Sequence, residues 1–171
     1  MQRFLTYTGI FLVLILLQVF LLDNLALSVY SHPLIYIAFI IVLPMDMRPV
    51  YILLYSLLLG VTMDMITGQA GLNVMATVAV GFLRPAIVAM ACGRGGGFDD
   101  TIPSLHRFTT KSLFGYILTM VVAHSALFFM LESLSLMHIL HTLLRIVVSS
   151  SVAFIFVWYL VKIIVERIFR N

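Results

Sequence analysis

Hydrophobic residues run almost without interruption along this chain, and only short polar intervals separate the runs. A helix that crosses a membrane needs about 17–25 mostly apolar residues. The pattern predicts six transmembrane helices, nominally at residues 5–22, 25–43, 50–63, 72–91, 112–131 and 146–165, with a loop at 92–111. The expected fold is therefore one all-α integral membrane domain, a polytopic bundle of six helices.

The second and third of these spans admit two arrangements. Pro33 interrupts the second span, so a helix could begin near Leu25, bend at the proline and cross the membrane, followed by a separate third crossing. Alternatively, residues 34–63 could form a hairpin that enters the membrane and returns. The hairpin would place Asp46 and Arg48 inside the bilayer, at roughly 3 kcal/mol each. Two true crossings are the favoured interpretation.

Composition supports a membrane environment. The chain of 171 residues is 63% hydrophobic and only 10% charged, whereas soluble domains carry about 25% charged residues. A domain of this size leaves roughly a third of its chain surface exposed, so lipid is the expected solvent. The charges form no basic block, which argues against nucleic-acid binding. Cys92 is the only cysteine, which excludes an internal disulfide, and we expect no cofactor.

Lysine and arginine residues set the expected orientation. Nine of the ten lie toward one end of the predicted bundle, including Arg84, Arg94 and Arg107, and only Arg145 lies at the opposite end. This asymmetry predicts that both termini and the 92–111 loop are cytoplasmic. Arg84 lies inside the fourth span, and we expect its side chain to reach the cytoplasmic headgroups; the alternative is a buried functional arginine.

Two stripes of small and polar residues recur at helical spacing in the third and fourth spans. Residues four apart share one helical face, and small side chains let membrane helices approach closely. We therefore expect these faces to form helix-packing or partner contacts. The stripes consist of Ser56, Gly60 and Asp64, followed by Asn73, Thr77 and Gly81.

Asp64 has two interpretations. It could lie solvated among the headgroups, or be partly buried and bind Asn73, the backbone N–H groups that begin the fourth helix, or Arg145. Asp64, Glu132 and Arg145 together form an expected outer-side charge cluster.

Two groups of histidines complete the candidate polar residues. His124, in the middle of the fifth span, is expected to form an interhelical hydrogen bond. His138 and His141 lie near Glu132 in the sequence. Their spacing of three is common by chance, and we expect no metal site.

Three segments carry a family resemblance. They are "LLQVFLLDNL" (16–25), "HPLIYIAFIIVLP" (32–44) and "LLLGVTMDMITGQAGLN" (57–73). The last contains Gly60, then Asp64 four positions on, then Gly71 in the following turn. In these motifs, in length and in layout, the chain resembles the rod shape-determining protein MreD family.

The resemblance implies a function. Proteins similar to MreD are not enzymes; they lie in the bacterial inner membrane and work with MreC, a protein with one membrane helix. They belong to the elongation machinery that couples MreB filaments to the peptidoglycan polymerase RodA and its transpeptidase partner. Their fold resembles that of the substrate-binding components of energy-coupling-factor vitamin transporters. A vitamin-type transporter component is therefore the alternative function.

Overall fold

The computed structural model describes residues 2–22, 32–45, 47–92, 109–133 and 139–168, and over this part the regular structure is helical. The first helix, α1 (Gln2–Leu17), is continued by a wide π-helical turn at Gln18–Leu22. The helices are α1 (Gln2–Leu17), α2 (Ala38–Val42), α3 (Pro49–Thr67), α4 (Leu72–Cys92), α5 (Thr110–Ser133) and α6 (Ile139–Ile168).

Four helices are long and apolar enough to cross a membrane: α3, α4, α5 and α6. α1 contributes a shorter apolar stretch, Thr6–Phe20. The helical membrane class predicted from the sequence is thus confirmed at this level. The helices predicted at 50–63, 72–91, 112–131 and 146–165 are all present with wider bounds, and the last begins seven residues earlier than predicted.

The helix expected at 25–43 is not observed over its described part. Residues 32–45, which we call the core segment, contain only the five-residue helix α2, and the chain around it is not helical. Every residue from Leu34 to Leu43 is between 0 and 2% exposed. The expectation of a spanning helix fails because a run that is apolar on all sides also fits burial within protein. Pro33 and Pro44 bound that run.

Contacts between side chains show the direction of each element. α3 and α4 are antiparallel, because Gly60 lies against Thr77 and Ser56 lies against Gly81. The core segment runs parallel to α4: Tyr36 contacts Asn73 near the start of α4. Farther along α4, Arg84 contacts the end of the core segment.

The remaining elements continue the alternation. α5 runs antiparallel to the core segment, since His124 contacts Tyr36 and Tyr116 contacts Ile41. α6 runs antiparallel to α5. α1 runs antiparallel to the core segment, because Gln18 contacts Pro33 and Phe11 contacts Phe39. The beginning of α1 and the end of α6 therefore lie at the same end of the bundle. We call it the Lys111 end, after the first turn of α5, and the opposite one the Asp64 end.

The outside of the bundle is apolar on every long helix. Large hydrophobic side chains with more than two thirds of their surface exposed occur on four of them: Phe20, Met65, Phe82, Met90 and Leu140. A soluble monomer rarely exposes a contiguous apolar surface of more than a few hundred Å². This surface fits contact with lipid chains.

Candidate functional site

The two predicted stripes face each other in the α3–α4 interface. A Cβ atom added to Gly60 would lie 2.5 Å from the Cα atom of Val74 and 2.5 Å from Oγ1 of Thr77. One added to Gly81 would overlap Ser56. The interface therefore depends on glycine at both positions. Both stripes are buried within the chain, so their residues are helix-packing residues and offer no surface to a partner.

Hydroxyl groups in this interface bond to backbone carbonyls. Oγ1 of Thr77 lies 2.7 Å from the carbonyl oxygen of Asn73, one turn back in its own helix, and 3.0 Å from that of Ser56 in α3. Oγ of Ser56 donates to the carbonyl oxygen of Ile52 at 2.8 Å. Thr77 therefore links the two helices while leaving no hydroxyl unpaired in an apolar environment.

Asp64 caps α4 from the neighbouring helix. Gly71 occupies the N-cap position, because its carbonyl accepts the first helical bond, from Met75, and glycine has no side chain with which to cap. The Asp64 carboxylate, 8% exposed, takes this role. Its Oδ1 accepts from the backbone N–H and the side-chain amide of Asn73 at 3.0 and 2.9 Å, and Oδ2 accepts from the N–H of Val74 at 3.0 Å. Of the two interpretations of Asp64, the buried one holds.

The turn between α3 and α4 brings Asp64 to this position. Gly68 ends α3 with a φ of 68°, and Gly71 has a φ of 88°. Side chains other than glycine rarely adopt such left-handed conformations. The N–H groups of Gly68 and Gln69 both donate to the carbonyl oxygen of Asp64. Asp64 therefore ends one helix through its backbone and caps the next through its side chain.

A buried chain of hydrogen bonds extends from Asp64 through three more residues. The side-chain amide of Asn73 donates to Asp64, so its Oδ1 is left as an acceptor, and the Tyr36 hydroxyl donates to it at 2.6 Å. Tyr36 has one hydroxyl hydrogen. Nε2 of His124, 3.2 Å from that hydroxyl, must therefore carry a hydrogen and donate. This chain joins α3, α4, α5 and the core segment, and it fulfils the hydrogen-bonding role expected of His124.

Arg84 does not reach toward the headgroups, so that expectation was wrong. Its side chain is 2% exposed and donates to the carbonyl oxygens of Leu43 and Pro44, the latter at 3.3 Å, and to the Tyr116 hydroxyl at 3.0 Å. The physical reason is that α2 ends inside the bundle. The carbonyl groups of Leu43 and Pro44, just after the last residue of α2, have no helical partner, and the guanidinium group supplies donors to them.

Further side chains serve the backbone of the core segment. Gln18 donates to the carbonyl oxygen of Pro33 at 3.2 Å and accepts from the N–H of Ile35 at 2.8 Å. Ser149 accepts from the N–H of His32 at 3.0 Å. Tyr116 donates to the carbonyl oxygen of Ile41 at 3.3 Å. Non-helical backbone is tolerated at membrane depth only where protein or water satisfies its polar groups.

Sequence reasoning did not single out Gln18, Tyr36 or Tyr116. A signal for Gln18 was present, since it is the one amide in a long apolar run of the first span. A polar side chain in that position needs a partner inside the bundle. The two tyrosines carried no comparable signal, because tyrosine is also common at membrane surfaces.

The predicted outer-side charge cluster divides into two parts. Glu132 and Arg145 form an ion pair at 2.9 Å, and the Arg145 guanidinium lies 4.7 Å from the centre of the Phe129 ring. Asp64 bonds to the first turn of α4 instead. Arg94, Arg107 and His138 lie outside the described residues, as does most of the 92–111 loop.

These contacts form buried polar groups at both ends of the core segment. One extends from Asp64 through Asn73 and Tyr36 to His124. The other joins Arg84 and Tyr116 to the last carbonyl groups of the core segment. What such an arrangement can do is fix the positions of helices. Comparison with known protein families, with curated proteins and with solved structures finds no match.

Proposed function

We propose that this chain is a non-enzymatic membrane scaffold of the bacterial elongation machinery, similar to MreD. In this role it binds MreC and links MreB filaments to peptidoglycan synthesis by RodA and its transpeptidase partner. The support is the resemblance of the three segments, 16–25, 32–44 and 57–73, together with the arrangement of the bundle interior.

The burial of the core segment is the observation that carries the proposal. The core segment lies between the helices, and its apolar residues from Leu34 to Leu43 are almost completely buried. A substrate-binding component needs a concave pocket with a few converging polar groups. Here Asp64, Asn73, Tyr36 and Arg84 bond to one another or to backbone groups. The bundle interior thus favours a scaffold over the vitamin-binding alternative.

The proposed location is the bacterial inner membrane, with six passages of the chain and both termini in the cytoplasm. The alternating directions of the six segments support this layout. So does the charge asymmetry: Arg48, Lys111 and Lys162 lie at the Lys111 end, whereas Arg145 lies at the Asp64 end. A reporter fused after Asn171 should be active only in its cytoplasmic form.

Binding to MreC is expected to use the exposed apolar faces, because the small-residue stripes are occupied within the chain. Leucine at Gly60 or Thr77 should therefore reduce MreC binding only by unfolding the α3–α4 interface. The thermal stability of each purified variant separates this indirect effect from loss of a contact surface.

Co-purification tests the proposal. The tagged chain is produced with MreC from the same cell and isolated in a mild detergent. MreC should be recovered in near-equal amount, and an unrelated protein with one membrane helix should not. Folded protein isolated without MreC would refute the scaffold role. Native mass spectrometry of the same sample would show a bound metabolite if the transporter alternative were correct.

A further inference from the structure

An aromatic cluster lies between α5 and α6 toward the Lys111 end. The ring of Phe114 packs edge-on against Phe154, with centroids 4.9 Å apart, and against Trp158 at 5.8 Å. Phe154 and Trp158 are 6.1 Å apart. Phe114 remains 46% exposed, so the cluster forms part of the outer surface of the bundle.

Two lysines stand one helical turn beyond this cluster, on the same faces. Lys111 precedes Phe114 by three residues, and Lys162 follows Trp158 by four. Residues three and four apart share one helical face. Because α5 and α6 are antiparallel, both steps lead toward the Lys111 end. Both lysines therefore lie beyond the aromatic cluster, at the same end of the α5–α6 groove.

Both lysines are exposed, and neither forms an ion pair or hydrogen bond with any residue whose side chain the structure describes. Two cations at the same end of one groove attract an anion. Aromatic side chains followed by lysine are also typical of the depth at which a helix leaves the hydrocarbon region. An anion held by both lysines would lie at headgroup level, beside a surface that accepts an acyl chain.

We propose that the α5–α6 groove at the Lys111 end binds an anionic phospholipid. Lys111 and Lys162 hold the phosphodiester group, and the Phe114–Phe154–Trp158 cluster contacts an acyl chain. A lipid satisfies both halves of the site, whereas free phosphate would satisfy only the lysines. This site does not depend on the proposed scaffold function, since it requires only that α5 and α6 cross a membrane.

Trp158 provides a direct probe, because it is the only tryptophan in the chain. The full-length protein is placed in phosphatidylcholine nanodiscs that contain a small fraction of phosphatidylglycerol with brominated acyl chains, which quench tryptophan. Brominated phosphatidylglycerol should quench Trp158 at a lower mole fraction than brominated phosphatidylcholine does. Equal quenching by the two lipids would overturn the proposal.

The lysines are tested by Lys111→Gln/Lys162→Gln. A lysine near an anionic surface contributes enough to change binding about fivefold, so the double variant should bind the anionic lipid ~25-fold more weakly. Arg48→Gln is the matched control, because it removes an exposed cation at the same end but outside the groove, and it should leave quenching unchanged. Arginine at both lysine positions should preserve binding.

Two further results would each refute the site. One is a double variant that is quenched like the wild type. The other is complete reversal of the quenching by excess inorganic phosphate, which would mean that the lysines bind free phosphate and that the aromatic cluster contributes nothing. Far-UV circular dichroism of every variant shows that the helices are intact.

Discussion

The α3–α4 interface and the core segment are both buried, and in both the backbone N–H and C=O groups need hydrogen-bond partners. The two regions find these partners in different ways. In the α3–α4 interface, regular helices pair their own backbone groups, and Gly60 and Gly81 allow close approach. In the core segment, most of the chain is not helical, and Gln18, Arg84, Tyr116 and Ser149 serve its backbone from four different helices.

The difference shows two ways to build protein interior at membrane depth. Helices pair their own backbone N–H and C=O groups, so they need only complementary shapes to pack together, and small residues provide these. Irregular backbone needs partners from elsewhere in the chain, because lipid offers no hydrogen bonds. The α3–α4 interface should therefore be sensitive to added volume, and the core segment to lost hydrogen bonds.

The largest effect is expected for Arg84→Leu. This change leaves the carbonyl groups of Leu43 and Pro44 buried without donors, and removal of the buried charge offsets only part of that loss. We expect a destabilisation of about 3–4 kcal/mol, measured by reversible unfolding in mixed micelles. Arg48→Gln removes an exposed arginine and should change stability little. Similar stability of the two variants would contradict the bracing role of Arg84.

Gly60→Ala tests the α3–α4 interface by adding one methyl group. The new Cβ atom would overlap the backbone of Val74, so the helices must separate, and we expect a loss of about 2–3 kcal/mol. Gly115→Ala is the matched control, because a Cβ atom there meets nothing within 4 Å. Alanine favours helix over glycine, so the control should gain up to ~1 kcal/mol. Equal effects would mean that α3 and α4 do not pack this closely.

Asp64 connects the α3–α4 interface with the core segment. Its carboxylate caps α4 and bonds to Asn73, which in turn bonds to Tyr36 of the core segment. Asp64→Leu removes every acceptor and should cost about 2 kcal/mol. Asp64→Asn keeps one oxygen for Asn73 but presents an amide to the N–H of Val74, so about 1 kcal/mol is expected. Thermal unfolding of both variants ranks them. Equal losses would indicate that the negative charge itself is required.

The smallest effect is expected for Tyr36→Phe. Loss of the hydroxyl breaks the hydrogen bonds to Asn73 and His124 while keeping the ring, at about 1 kcal/mol. Tyr159→Phe makes the same change at a tyrosine that is 63% exposed and should be neutral. In the Tyr36 variant, hydrogen exchange of the first turn of α5 should remain unchanged, because only the Asp64 end loses a contact. Faster exchange throughout α5 would mean that the bond chain supports the whole helix.

Prediction from the sequence succeeded for features that depend on residues close together in the chain. The positions of α3 to α5 and the packing role of the two stripes follow from patterns within a few turns of one another, and the cap by Asp64 was one of two interpretations that the sequence allowed. It failed at residues 32–45, where an apolar run indicates burial but not whether lipid or protein surrounds it. It also failed for Arg84, since snorkelling and burial look alike until the neighbours are known.

The sequence by itself determined that apolar helices face lipid and that small and polar residues of α3 and α4 lie on one face of each helix. These outcomes depend on helical periodicity and on the cost of charge in hydrocarbon, which act along the chain. Only the tertiary structure decided that the core segment fills the bundle and that Gln18, Arg84 and Tyr116 brace it. Those hydrogen bonds join residues 15 to 75 positions apart, and no local pattern specifies such partners.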